Sequence, residues 1–258
     1  MKRLAKRLLA YVLLCGLYVV LGIFISYSMY TQMKLSTANE IQSLNNITKN
    51  ETKGFTEAIY LSRNSSVNVM SMSSDGVIGS SSGTYITIND KHYILTVSHG
   101  IREDCSTIRI IVGTEFYECK QLAVLNREQD YAIIKIDRII ERTPIRIPKH
   151  TPKNSRWDES LSIQNRVVYS GFPNSSGLLT LDGKIVGFND NEDMFVHSYA
   201  WPGASGSGVF NEDGKLIGYI MAISLGFTEY GISVLEDIVI VVPLFKIDWD
   251  ELKQEGEN

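Results

Sequence analysis

Basic side chains thin out after the first seven residues of this 258-residue chain, and their scarcity limits what it can bind. Lys2, Arg3, Lys6 and Arg7 stand together with no acid among them. Taking those four charges from a net of −4 leaves −8 for the remainder. An acidic body without a run of Lys or Arg lacks the counter-charge that a phosphate backbone demands, so nucleic acid is not an expected partner. Histidine is rare as well. Only His92, His99, His150 and His197 occur, and no two have a metal-ligand spacing, so neither a metal nor another cofactor is expected. Cysteine is confined to Cys15, Cys105 and Cys119, and no internal repeat is visible. What the chain has in quantity is apolar surface. At 44% hydrophobic and 10% aromatic residues it can bury a sizeable core, which argues against global disorder.

One uncharged, almost wholly apolar run of 18 residues, Leu8 to Ile25, follows the basic start. Its length suits a bilayer-spanning helix, and Ser26 to Met33 adds no charge. The positive-inside rule keeps residues 1–7 in the cytoplasm and sends the body across. The expected organisation is a basic stub at 1–7, a transmembrane signal anchor at 8–30, a polar stalk at 31–53, a body at 54–250 and a polar tail at 251–258. A cleaved signal peptide is the rival reading; its apolar region is usually shorter, about 7–15 residues, and ends at small residues. Ser26-Tyr27-Ser28 is a fair site of that kind. Cys15 reads as membrane-embedded packing.

The body reads as short β-forming runs punctuated by turn signals. The runs are Ser66–Met72, Thr84–Ile88, His92–Val97, Ile108–Val112, Tyr131–Ile136, Val167–Ser170, Leu178–Leu181, Lys184–Phe188, Met194–Tyr199, Lys215–Ile223 and Val239–Val242. Asn89-Asp90, Asp182-Gly183 and Asp213-Gly214 mark turns, Asp182-Gly183 with a hairpin signal. Short helices are expected over Phe55–Leu61 and Leu244–Leu252. The pattern is that of an all-β barrel or sandwich.

Three segments carry chemistry. Trp201-Pro202-Gly203-Ala204-Ser205-Gly206-Ser207-Gly208 sets a serine among small residues, where a tight turn can expose its Oγ and leave backbone N–H groups free for an oxyanion. Thr96-Val97-Ser98-His99 ends a strand-like run, and Asp130-Tyr131-Ala132-Ile133-Ile134 opens another. A lone histidine at a strand end is ordinarily structural, and a lone aspartate there is ordinarily a solvated turn residue. Together with a serine they fit base, orienting acid and nucleophile. Gly79-Ser80-Ser81-Ser82-Gly83 also matches a Gly-x-Ser-x-Gly nucleophile elbow, but an elbow must lead into a helix, and the β-formers Thr84–Ile88 follow.

These three segments resemble the trypsin-like, chymotrypsin-fold serine peptidases, and among them the compact bacterial HtrA-type domains. The likeness rests on Thr-x-x-His at His99, Asp-x-Ala at Asp130 and Gly-x-Ser-Gly at Ser205, and covers about residues 60 to 245. It implies an all-β, two-barrel fold, with barrel 1 at about 62–145 and barrel 2 at about 160–245. Pro144, Pro148 and Pro152 mark Thr143 to Asp158 as the crossing between them. Too little chain follows residue 250 for the PDZ domain that often accompanies such peptidases.

The resemblance also implies roles. His99, Asp130 and Ser205 would form the triad, with the Gly203 and Ser205 N–H groups as oxyanion hole. Met221, Ala222 and Ile223 would wall a specificity pocket with its base near Tyr199; plain barrel core is the alternative for that wall. With Tyr199 six residues before the serine, no acid is there to favour Arg or Lys, so small or medium apolar residues are the expected preference. Ala204 stands where cleavage-activated relatives carry Asp, so no activation of that type is expected. Cys105 and Cys119 pair if the body lies outside the cytoplasm and stay free thiols in a reducing compartment.

The function implied is a membrane-anchored serine endopeptidase acting on polypeptides outside the cytoplasm, periplasmic or extracellular, and held to the lipid bilayer by its first helix. A catalytically silent binding or chaperone module on the same fold and an acyl hydrolase acting on esters are the competing readings. Oligomeric state has no signature in the sequence.

Overall fold

The computed structural model describes residues 53–147, 161–175, 177–228, 231–249 and 252. The proposed stub, anchor and nearly all of the stalk lie outside them, as do most of the Pro-marked crossing and all of the tail except Leu252. Among the described residues no helix is long and apolar enough to cross a membrane.

The described residues are mostly β, folded as two barrel-like halves. Helix α1 (Lys53–Ser65) comes first, longer at both ends than the Phe55–Leu61 expected. Strands β1 (Ser66–Met72), β2 (Ile78–Ile88), β3 (Lys91–Thr96), β4 (Ile108–Val112), β5 (Glu115–Glu118), β6 (Gln121–Asn126), β7 (Tyr131–Ile136) and β8 (Ile145–Arg146) form the first half. Their order is β5-β4-β1-β2-β3-β7-β6, with β8 parallel to β2. Strands β9 (Arg166–Gly171), β10 (Leu179–Phe188), β11 (Met194–His197), β12 (Gly208–Asn211), β13 (Leu216–Thr228) and β14 (Gly231–Pro243) close a second barrel in the order β10-β11-β14-β13-β12-β9.

The apolar run Tyr131–Ile136 is continuous because β7 is buried on both faces. Ala132, Ile134 and Ile136 pack inside the first half with Val67, Ile94 and Ile110. Tyr131 and Ile133 point the other way, into a core shared with Val168, Phe210, Tyr219 and Val242 of the second half. Strand β3 divides its side chains likewise, Ile94 to the first core and Tyr93 and Leu95 to the shared one. The period-2 alternation thus persists, with two apolar destinations in place of one apolar and one wet.

Two local expectations are corrected. Asp182-Gly183 makes no hairpin turn: both residues lie inside β10, paired with Val168 and Val167 of β9. Gly183 serves a close crossing, since a Cβ there would lie 2.4 Å from the His197 carbonyl oxygen and 2.7 Å from Ser198 Cβ. The start of the helix expected over Leu244–Leu252 is a 3-10 turn, Leu244–Lys246; Leu252 is helical, and residues 250 and 251 between lie outside the described residues. The Leu244 carbonyl accepts from Ile247 N–H and from Trp249 Nε1, each at 3.2 Å, while Asp248 N–H donates to Tyr131 Oη at 3.3 Å. Those partners replace the i→i+4 bonds that would have extended a helix.

Cys105 and Cys119 are joined in a disulfide with Cα atoms 5.3 Å apart. Closing a loop of this size contributes about 3 kcal/mol by restricting the unfolded chain.

Candidate active site

The first half supplies His99 and Asp130. After β3 ends at Thr96, Val97 and Ser98 stay buried and the chain turns outward, leaving the His99 side chain 54% exposed. Asp130 sits just before β7 with left-handed backbone (φ 54°), a conformation that short polar residues tolerate better than most. Antiparallel pairing of β3 with β7, Thr96 opposite Ala132, brings the two strand ends together. Asp130 Oδ2 then accepts from His99 Nδ1 at 2.7 Å. Its Oδ1 accepts from the His99 backbone N–H and the Ser98 hydroxyl, both at 2.9 Å.

Burial pushes the Asp130 carboxyl up. The hydrogen bonds and charge of His99, with the Ser98 hydroxyl, outweigh that and hold it below the usual carboxylate range. The carboxylate is therefore anionic at neutral pH and fixes the Nδ1–H tautomer of His99. Arg127 clamps the histidine loop by donating to the Ser98 carbonyl and, at 2.9 Å, to that of Ile101. From the second half, Tyr219 Oη donates to the Gln129 carbonyl at 2.9 Å, next to Asp130. Burial, and after it the charge of Asp130, pushes the Tyr219 phenol up, so it stays a donor.

The second half supplies the turn around Ser205. Gly203 and Gly206 take positive φ, 95° and 89°. A Cβ on Gly206 would stand 2.1 Å from the Ser82 carbonyl oxygen, so the close approach excludes any other residue. Ala204 N–H donates to Trp201 O at 2.9 Å and Ser207 N–H to Ala204 O at 3.1 Å. Ala204 itself is buried at 1% exposure, and the turn forms without an acid at that position. The N–H groups of Gly203 and Ser205 donate to no backbone carbonyl among the described residues.

Ser82 of β2 grips this turn from across the molecule. Its N–H donates to Ser205 O at 2.9 Å and its Oγ to Gly203 O at 2.7 Å. The same Oγ accepts from Phe172 N–H at 2.8 Å, and its carbonyl accepts from Thr96 Oγ1 at 2.6 Å. The sequence reading missed Ser82, setting its Gly-Ser run aside as a false elbow. The available signal was a row of small hydroxyl residues in a strand, where bulky β-formers are usual.

His99 and Ser205 line one cleft of about 200 Å³, together with Ala200, Trp201, Pro202, Ala204, Ile220 and Met221. Met221, named above as a candidate pocket wall, is one of these lining residues. Tyr199 faces outward at 55% exposure, its ring stacked on Trp201 at 6.3 Å between centroids, and is not among the lining residues. The side chains of Ala222 and Ile223 lie outside the described residues. Among the described residues no group of three or more His, Cys, Asp or Glu side chains could hold a metal ion.

Residues 75–218, more than half of the chain, match the family model of the trypsin-like peptidase domain. The fold is similar to the crystal structure of the serine endoprotease from Yersinia pestis, with a TM-score of 0.55 and 23% identity. The likeness covers 78% of this chain and 64% of that one, so the chain spans less than two thirds of that protein's length. It is also similar to the active form of the Rv3671c protease from M. tuberculosis, with a TM-score of 0.56 and 14% identity, covering 77% of this chain and 84% of that one. No curated protein matches the chain in sequence.

Proposed function

Since the chain belongs to the trypsin-like peptidase domain family, we propose that it is a membrane-anchored serine endopeptidase whose body works outside the cytoplasm. The observation that carries the reading is the meeting at one cleft of Ser205 with a histidine whose Nδ1 is held by Asp130 at 2.7 Å. In this reading Ser205 Oγ attacks the peptide carbonyl carbon while His99 Nε2 takes its proton. The oxyanion is received by the N–H groups of Gly203 and Ser205, each donor worth about 2.7–4 kcal/mol in the transition state. The C–N bond breaks as His99 returns the proton to the leaving amine, and water then releases the acyl group by the same steps in reverse. Asp130 stabilises the imidazolium. Trp201, Pro202 and Met221 make the cleft apolar, which favours an apolar side chain before the cleaved bond.

Location rests on two supports. The run Leu8–Ile25 is long enough to span a bilayer and is preceded by four basic residues. The Cys105–Cys119 disulfide belongs to an oxidising compartment. A membrane-impermeant fluorophosphonate probe tests activity and location together. Applied to spheroplasts expressing the full chain, it should label Ser205 before lysis. Labelling only after lysis would sink the location, and no labelling of folded protein would sink the catalytic role.

Ser82 holds the oxyanion turn from the other half, so Ser82→Ala should leave Phe172 N–H and Gly203 O without their partner. The expected result is a fall in kcat of roughly 10²-fold with KM little changed, as for a small misplacement of catalytic groups. Unchanged kcat in a folded variant would mean that the turn holds itself.

A further inference from the structure

A second groove, of about 200 Å³, opens on the first half away from the cleft. Met70, Met72, Ile78, Thr107, Arg109 and Phe116 line it. Three of these are large apolar side chains left open to water: Phe116 at 66% exposure, Ile78 at 57% and Met72 at 49%. Val77, next to Ile78, adds another at 51%. Single exposed apolar residues are ordinary, but a cluster around a concavity marks a binding surface.

Its place along β2 identifies the occupant. The strand runs from Ile78 at the groove, past Gly79, to Ser82 on the Ser205 turn. A Cβ on Gly79 would lie 3.0 Å from Arg102 Nε and 3.3 Å from Gly100 O, so the strand passes directly beside the histidine loop. Four residues of strand put the groove about 13 Å from the Ser82–Ser205 contact. The direction follows from the chemistry. The acyl part of a substrate stays with Ser205 and the Trp201–Met221 cleft, both in the second half. The leaving amine must face His99, which stands on the first half. The chain beyond the cleaved bond therefore departs over the first half, on the side where this groove lies.

We propose that the groove is an exosite for the leaving-side segment of the polypeptide substrate, taking an apolar side chain about four residues past the cleaved bond. This rests on the peptidase reading. Charge adds a second preference. Asp75 lies in the β1–β2 turn, Asp104 caps the Cys105–Thr107 turn, Glu103 accepts from Ser74 N–H, and Glu115 adjoins Phe116. Against these four carboxylates stand Arg102 and Arg109, so the surroundings are net negative and favour Lys or Arg flanking the apolar residue.

The test compares two substrates that share an acyl side taken from a casein cleavage site. One ends in an aminocoumarin leaving group. The other is an internally quenched peptide with seven residues after the bond, carrying Leu between lysines at the third, fourth, fifth or sixth position, or Ser throughout. The full chain is assayed with Ile78→Thr and Phe116→Thr, exposed positions where Thr keeps β-propensity. The expected result is a kcat/KM about tenfold higher for Leu at one of these positions than for Ser. Both variants should lose that gain while cleaving the aminocoumarin substrate as wild type does. Equal kcat/KM for Leu and Ser peptides, or a gain that survives both variants, would overturn the exosite and leave the peptidase standing. Failure to cleave either substrate would remove the peptidase reading and the exosite with it.

Discussion

Ser205→Ala is expected to lower kcat for peptide cleavage by about 10⁶-fold and to abolish fluorophosphonate labelling. Only Oγ is removed. The contacts that shape the turn are to backbone atoms, Ser82 N–H to Ser205 O at 2.9 Å and Gly206 N–H to Ile220 O at 2.7 Å, and they survive the change. The melting temperature should therefore stay near that of wild type, and a loss of activity would report chemistry rather than unfolding. A variant keeping more than a percent of activity would place the nucleophile elsewhere. Ser207 is a poor substitute. Its Oγ is buried without a hydrogen-bond partner among the described residues, and a Cβ on Gly171 would stand 2.1 Å from it. It is enclosed between strands, where no substrate carbonyl can reach.

Asp130→Asn should be nearly as damaging, with kcat down about 10⁴-fold at neutral pH and KM little affected. The carboxylate accepts on both oxygens, and an amide can accept on only one. If the amide oxygen keeps the two donors at Oδ1, the NH₂ faces His99 Nδ1 and forces it to accept. The ring proton then sits on Nε2, the nitrogen that takes the Ser205 proton in the proposed mechanism. Stability gives an independent check. Because the folded-state pKa of Asp130 lies below the unfolded value of about 3.9, the ionised carboxylate stabilises the native state above about pH 4. That contribution is lost as pH falls through the folded value. The stability gap between wild type and the Asn variant, measured by denaturant, should accordingly narrow in that window. A gap independent of pH would mean that the charge of Asp130 plays no part in folding.

The all-β character was legible because strand alternation and turn residues are local signals, whereas the two barrels were implied only by the resemblance that the His99, Asp130 and Ser205 segments carry. Asn89 and Asp90 mark the β2–β3 turn, and both adopt positive φ, 50° and 61°. Asp182-Gly183 carries an equally good local signal and makes no turn. What decides there is the approach of His197 and Ser198 from another strand, which a reading by neighbours does not contain. The site divides along the same line. His99, Asp130 and Ser205 each stand in a recognisable immediate context. Ser82 does not, since its partners Phe172 and Gly203 are 90 and 121 residues away. Tyr199, placed near a pocket base by counting back from Ser205, is exposed with its ring stacked on Trp201, a contact that its immediate sequence does not announce.

The grip of Ser82 on the Gly203 carbonyl also orders events in time. During synthesis the ribosome releases the first half, with His99 and Asp130, well before the residues around Ser205. On the proposed reading, a nascent chain in that condition has a base and no nucleophile. When the last strands arrive, the Ser82 N–H and hydroxyl that the glycine turn bonds to are already outside the ribosome. Hydrolysis by the proposed triad would thus wait for the second half, which spares neighbouring chains during synthesis.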